Sequence, residues 1–200
     1  PARMISAGLG DLLGKFTCLN DWRISKIIND EYYCDTVVNL VKDCIENVLT
    51  NADKAASRDP KVIGDIMEGL VLTGVAMRFV GNSRPEAGCE HHLNHYWQAI
   101  EIQNGQIPVL HGIEVGLAEV VILKMTEFLR ESRPDFDAAR AKAKQYDQAA
   151  WEAKMKEVYG TASDAIIELE HESKKNEPEG RLKRIDKIEE NWDEIVKLMN

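Results

Sequence analysis

Apolar residues recur three and four positions apart along most of the chain, and no segment shows the sustained apolar–polar alternation typical of a strand. Residues 35–50 follow this helical spacing, and Pro60, with Asp59 before it as N-cap, begins a second helix that extends to about Val80. That helix is apolar on most sides. We expect its inward-facing residues to be Ile63, Ile66, Met67, Leu70, Val71 and Val75. The pattern predicts an all-α, multi-helix fold.

The composition changes after Pro134, where Ala, Lys, Glu and Asp become frequent. Shorter amphipathic helices are predicted there over residues 136–146, 149–158, 161–171 and 181–198. We therefore divide the chain into a helical core, residues 1–134, and a helical C-terminal extension, residues 135–200, packed on the same domain.

Composition narrows the classes of function. The formal net charge of −9 argues against a nucleic-acid partner, because phosphates require a basic surface. No run of about 18 apolar residues predicts a membrane span, and no signal peptide is evident. The four cysteines form no CxxC pair, which favours a cytoplasmic enzyme with reduced thiols. The chain opens with Pro1 rather than methionine and enters a motif almost at once, so we expect a piece of a longer protein.

Four of the five histidines fall within 21 residues. His91 and His95 are four apart and share a helix face, whereas His92 points elsewhere. His111 follows a loop and opens the next predicted helix, so two imidazoles from neighbouring helix starts could converge on one ion. A third ligand must come from elsewhere, and a carboxylate would suit zinc, iron or nickel. A histidine pair at this spacing is also a common surface feature, and both interpretations stay open here.

Three segments resemble the glycerol-1-phosphate dehydrogenases of the iron-containing alcohol dehydrogenase and dehydroquinate synthase superfamily. Met4-Ile5-Ser6-Ala7-Gly8-Leu9-Gly10-Asp11-Leu12-Leu13 is similar to the opening of their C-terminal helical domain. Residues 81–91, GNSRPEAGCEH, resemble their SRPxSGxEH segment, although Glu86 and Ala87 stand where small residues such as Ala and Ser are usual. His111-Gly112 resembles the HG pair that starts the following helix. Residues 22–24 and 190–195 resemble the bacterial, AraM-like branch.

The resemblance implies roles for individual residues. Asp11, His91 and His111 would bind one divalent metal ion, either zinc, nickel or iron. His95 would contact substrate and take part in catalysis, and Asp11 would also lie at the substrate. Arg84 is a candidate contact for a substrate phosphate, with stabilisation of its turn as the alternative.

The reaction implied is the interconversion of dihydroxyacetone phosphate and sn-glycerol 1-phosphate with NADH or NADPH. This chain has no strand–glycine-loop–helix pattern, so NAD(P)H would bind mainly to a missing N-terminal Rossmann-like domain. We therefore expect the 200 residues alone to be inactive. Formation of a homodimer is an expectation from the family.

Two alternatives remain at this point. The chain could belong to another polyol dehydrogenase of the superfamily, such as a glycerol dehydrogenase, against which the SRP segment argues. It could also be a non-catalytic helical module that binds metal or a partner helix through its acidic C-terminal part. The sequence leaves open the metal, the choice of NAD or NADP, and the exact substrate.

Overall fold

The computed structural model describes residues 2–199, which fold into helices joined by turns, with no strand among them. The helices are α1 (Ala2–Leu13), α2 (Lys15–Asn29), α3 (Asp35–Leu49), α4 (Pro60–Val80), α5 (Cys89–Gln103), α6 (His111–Glu131), α7 (Phe136–Ala143), α8 (Gln148–Tyr159), α9 (Ser163–Ser173), α10 (Pro178–Glu190) and α11 (Trp192–Leu198). The all-α prediction is confirmed for these residues. None of the helices within residues 2–199 combines the length and apolar character needed to cross a bilayer.

The hydrophobic core lies among α1, α2, α3 and α4. Trp22 of α2 is fully buried and packs in one cluster with Val41 and Ile45 of α3. Leu12 of α1 packs in a second cluster with Ile66 of α4. Helix α6 packs along α1, and α5 packs on α6. These contacts fix the relative positions of α1, α5 and α6, the three helices that carry the predicted site residues.

Helix α4 begins as its sequence predicts but faces its neighbours differently. The Asp59 side chain accepts hydrogen bonds from the backbone N–H groups of Lys61 and Val62, so the predicted N-cap is confirmed. The prediction that Met67, Val71 and Val75 point inward is wrong, because all three are exposed. The buried stripe of the helix consists of Val62, Ile66, Gly69, Thr73 and Ala76, so the prediction is confirmed for Ile66, while Ile63 and Leu70 are half-buried. Its small members let α4 approach α1 and α3 closely.

The C-terminal part contains one helix more than predicted. The single helix expected over residues 181–198 is wrong, because the chain forms α10 and α11 with a break at Asn191. The Asn191 side chain donates a hydrogen bond to the Lys187 carbonyl, and such local bonds compete with a continuous helix. Helices α10 and α11 both pack on α2, and α8 packs on α5. The division of the chain at residue 134 stays a prediction.

Candidate metal centre

The site depends on an unusually close crossing of α1 and α6. A Cβ atom on Gly112 would lie 1.9 Å from the Ala7 carbonyl oxygen, and one on Gly10 would lie 2.2 Å from the Gly112 carbonyl oxygen. Only glycine fits at both positions, since the two backbones touch there directly. The next residue after Gly10 is Asp11, and the residue before Gly112 is His111. The glycine contact therefore brings these two side chains to the same place.

Asp11, His91 and His111 form a compact group of three potential ligands. One ligand atom from each lies within 4.8 Å of the other two. Asp11 Oδ1 is 3.4 Å from His91 Nε2 and 3.9 Å from His111 Nε2. Ligand atoms held at about 2.0–2.1 Å from a tetrahedral zinc ion lie roughly 3.4 Å apart, so a small contraction around a cation would suffice. The structure thus brings together the three residues that the motifs predict as metal ligands.

The donor set also fits a cation on grounds of charge. Asp11 Oδ1 is buried and has no hydrogen-bond partner among the described residues. The Lys15 ammonium is completely buried at 3.4 Å from Asp11 Oδ1 and 3.5 Å from Glu86 Oε1. The carboxylate of Glu90 is fully buried beside His91. Three carboxylates against one ammonium leave surplus negative charge, which a divalent cation would offset.

The protonation states of these three side chains suit a metal site. Burial opposes ionisation of Asp11, but the His91 imidazole and the Lys15 ammonium lower its pKa below the usual value. Burial, together with the charge of His91, lowers the pKa of His111 despite the nearby Asp11 carboxylate. Burial favours neutral His91, yet contacts with Asp11 and Glu90 raise its pKa. A cation would therefore meet an ionised carboxylate and a neutral His111, and would compete with a proton for His91.

His95 lies at the open side of the same group. Its ring centroid is 5.9 Å from that of His91 and 5.7 Å from that of His111, on which it stacks. The side chain is exposed, and its pKa is lowered by partial burial and by the two neighbouring imidazoles. His95 is therefore neutral near pH 7, with one ring nitrogen able to donate a hydrogen bond and the other able to accept one.

Arg84 makes a bidentate ion pair instead of projecting freely. Its Nε and Nη2 atoms donate to the two carboxylate oxygens of Glu31 at 2.8 and 2.7 Å, and Nη2 also donates to Ser25 Oγ at 2.9 Å. The hydrogen bonds to Glu31 raise the pKa of Arg84. These bonds attach the turn before α5 to the connection between α2 and α3. The predicted contact of Arg84 with a substrate phosphate stays a prediction.

Sequence reasoning missed the buried charges around the ligands. Lys15 and Glu86 are paired inside the site, and Thr73 donates a further hydrogen bond to Glu86. The signal for Lys15 was its position four residues after Asp11, which places an ammonium beside a carboxylate on one helical face. The signal for Glu86 was its departure from the usual small residue. A charge in such a place requires a partner, and Lys15 is that partner.

No family model matches the chain. Among curated proteins, it is 39% identical over 122 residues to a glycerol-1-phosphate dehydrogenase [NAD(P)+] of Halalkalibacterium halodurans, covering 61% of this chain and 31% of that protein. The enzyme of the same name from Geobacillus stearothermophilus is 33% identical over 152 residues, 76% of this chain and 37% of the relative. That from Staphylothermus marinus is 34% identical over 123 residues, 62% of this chain and 34% of the relative.

The chain spans about a third of the length of the curated relatives it matches. All three relatives have the same enzyme name, and the identities exceed 30% in each. Over 61–76% of its length the chain is therefore similar to glycerol-1-phosphate dehydrogenases, and it is a helical segment about a third as long as the enzymes it matches.

Proposed function

We propose that this chain supplies the metal- and substrate-binding part of an NAD(P)-dependent enzyme that interconverts dihydroxyacetone phosphate and sn-glycerol 1-phosphate. The observation that carries the proposal is the convergence of Asp11 with His91 and His111 beside a third imidazole, His95. The names of the relatives support the reaction and the nucleotide. A carboxylate with two imidazoles suits zinc, nickel and iron alike.

The proposed mechanism assigns a distinct task to each side chain. Asp11, His91 and His111 would hold the ion, which when bound acts as a Lewis acid toward the ketone group of the substrate. His95, neutral and exposed at the open side, would orient the neighbouring substrate hydroxyl or pass a proton to the oxygen as hydride reaches the carbon. Lys15 and Glu86 would keep the charge around Asp11 balanced without touching substrate.

The remaining parts of the enzyme belong to the same proposal. NAD(P)H would be bound by a Rossmann-like domain outside this chain, and two copies would form a dimer. An exposed apolar face on α6 supports contacts with further protein, because soluble domains seldom leave such faces uncovered. This face includes Val120, Val121, Met125 and Phe128, which line one shallow apolar surface. A cytoplasmic location is also part of the proposal.

Metal analysis of the purified chain tests the site. We expect about one divalent ion per chain in the wild type and its loss in D11A and H111A, because each variant removes one of three ligands. H92A is the matched control, since His92 is exposed on the same helix as His91 and lies outside the ligand group. Equal metal content in all four proteins would contradict the proposed site.

Activity assays test the reaction. We propose that this chain is part of a longer enzyme, which should reduce dihydroxyacetone phosphate much faster than unphosphorylated dihydroxyacetone. In that enzyme H95A should lower kcat while metal content is retained. The 200-residue chain alone should show no turnover with NADH or NADPH. A preference for the unphosphorylated substrate would favour another polyol dehydrogenase, and turnover by the chain alone would overturn the predicted need for a second domain.

A further inference from the structure

Behind His91 lies a carboxylate that the proposed chemistry does not use. Glu90 is completely buried, and its Oε1 atom lies 2.8 Å from His91 Nδ1 and accepts a hydrogen bond from the Gly88 N–H at 2.8 Å. Burial opposes ionisation of Glu90, but these hydrogen bonds lower its pKa. Both ring nitrogens of His91 face carboxylates, but only Nδ1 lies at a short hydrogen-bond distance, 2.8 Å from Glu90 Oε1 against 3.4 Å from Nε2 to Asp11 Oδ1, so this geometry favours a neutral His91 ring with its proton on Nδ1. Nε2 then carries the lone pair, and Nε2 is the atom that faces Asp11.

The second oxygen of Glu90 is held by a buried hydroxyl. Thr17 Oγ1 lies 2.8 Å from Glu90 Oε2 and 2.5 Å from Glu119 Oε2, with a longer contact of 3.3 Å to the Gly14 carbonyl. A hydroxyl has one hydrogen and cannot donate to two carboxylates. One carboxyl must therefore bring its own proton. Glu90 already accepts the Gly88 N–H and contacts His91, whereas Glu119 has no other hydrogen-bond partner among the described residues, so the contacts favour Thr17 as donor to Glu90 and a protonated Glu119 as donor to Thr17.

The surroundings of Glu119 agree with a neutral acid. Only 4% of the residue is exposed, and its other oxygen, Oε1, is buried without a hydrogen-bond partner among the described residues. An ionised oxygen in that position would be costly. Burial raises the pKa of Glu119 to about 7, despite the hydrogen bond with Thr17.

The backbone leaves Glu90 no room to turn away. A Cβ atom on Gly88 would lie 2.9 Å from Glu90 Oε2 and 2.7 Å from the Cα atom of Cys18. A Cβ on Gly14 would lie 3.1 Å from Glu90 Cγ and 2.8 Å from Val115 Cγ1. Close backbone packing on both sides therefore fixes the direction in which the carboxylate presents its oxygens.

We infer that Glu119, Thr17 and Glu90 form a hydrogen-bonded positioning chain that holds His91 as the Nδ1-protonated tautomer, with Nε2 directed at the divalent cation. The inference rests on the proposed metal site. None of the three residues touches the cation or substrate. Their effect passes through His91 alone, and hydrogen-bond partners behind a ligating histidine commonly change metal affinity 10–100-fold.

Zn²⁺ titration of the purified protein against a chromophoric chelator tests the chain of hydrogen bonds. T17V removes the hydroxyl at similar size and should weaken Zn²⁺ binding about tenfold, whereas T17S keeps the hydroxyl and should restore affinity. E90Q should weaken binding at least as much as T17V. E119Q keeps a donor toward Thr17 and should bind Zn²⁺ within about threefold of the wild type, while E119L removes that donor but leaves the Thr17 hydroxyl, so its loss of affinity should lie between those of E119Q and T17V. Wild-type affinity in T17V, or equal losses in E119Q and E119L, would overturn the inference.

The tautomer can be measured without metal, which separates this inference from the proposed function. Long-range ¹H–¹⁵N spectra of the metal-free protein, recorded at a pH where His91 has lost its charge, should show the proton on Nδ1. The same spectra of E90Q should show a shift toward the Nε2-protonated form. A wild-type ring protonated on Nε2 would overturn the inference even if Zn²⁺ binds, and an Nδ1-protonated ring would support it even if Zn²⁺ does not.

Discussion

The glycine contact between α1 and α6 gives a prediction that connects packing to the metal centre. In G112A, the new Cβ would lie 1.9 Å from the Ala7 carbonyl oxygen and 2.6 Å from the Ala7 carbonyl carbon. Both are backbone atoms, so the strain cannot be relieved by a side-chain rotation. The helices would have to separate by more than about 1 Å, and overpacking of this kind costs about 3 kcal/mol at the upper end of its usual range. Alanine's higher helix propensity returns about 1 kcal/mol.

We therefore expect G112A to lower the free energy of unfolding by about 2 kcal/mol, the difference between these two effects. The same separation would move His111 Nε2 away from Asp11 Oδ1. These two atoms are already 3.9 Å apart, so metal affinity should fall as well. Urea unfolding followed by circular dichroism, with metal removed by a chelator, measures the first effect. Chelator competition measures the second.

G64A is the matched control for this substitution. Gly64 lies inside α4, and a Cβ atom there would meet nothing within 4 Å. The variant should gain up to about 1 kcal/mol from helix propensity and leave metal affinity unchanged. If G112A were as stable as G64A, the argument that these two helices touch backbone to backbone would be refuted.

Three further predictions concern stability. The pKa of Glu119 is about 7 in the folded protein against an ordinary 4.5, so between these two pH values the folded protein retains a proton that the unfolded chain releases. The free energy of unfolding should therefore fall by about 3 kcal/mol as pH rises from 4.5 to 7. Urea unfolding of E119Q should lack this fall, and parallel pH profiles of E119Q and the wild type would contradict the prediction. I45A removes a buried side chain of α3 and should cost about 3 kcal/mol in the same assay, whereas L49A, exposed on the same helix, should cost under about 1 kcal/mol. D59A removes two hydrogen bonds at the start of α4 and should cost about 1 kcal/mol, with D59N close to wild type; an unchanged unfolding midpoint in D59A would count against the cap.

The start of α4 was predictable because its signals are local. Asp59 and Pro60 mark a helix start through a side-chain cap and a preset backbone angle, and both effects act within one turn. The direction in which α4 faces was not predictable in the same way. A helix that is apolar on most sides has no unique buried face. The face with the small residues Gly69, Thr73 and Ala76 is buried because the neighbouring helices approach α4 closely on that side.

The candidate site required more than spacing. The histidine pattern indicated that His91 and His111 could meet an ion, but a distance between residue 11 and residue 111 depends on how two helices cross. The sequence does carry a sign of that crossing, because a glycine stands next to each of the two ligands, at Gly10 and Gly112. Glycine inside a helix is costly unless something approaches where a side chain would be. The same reasoning applies to Gly88, two residues before the buried Glu90. In this fold the glycines of the motifs set the distances at which the charged residues act, and substitutions at the glycines should perturb metal binding even though glycine supplies no ligand.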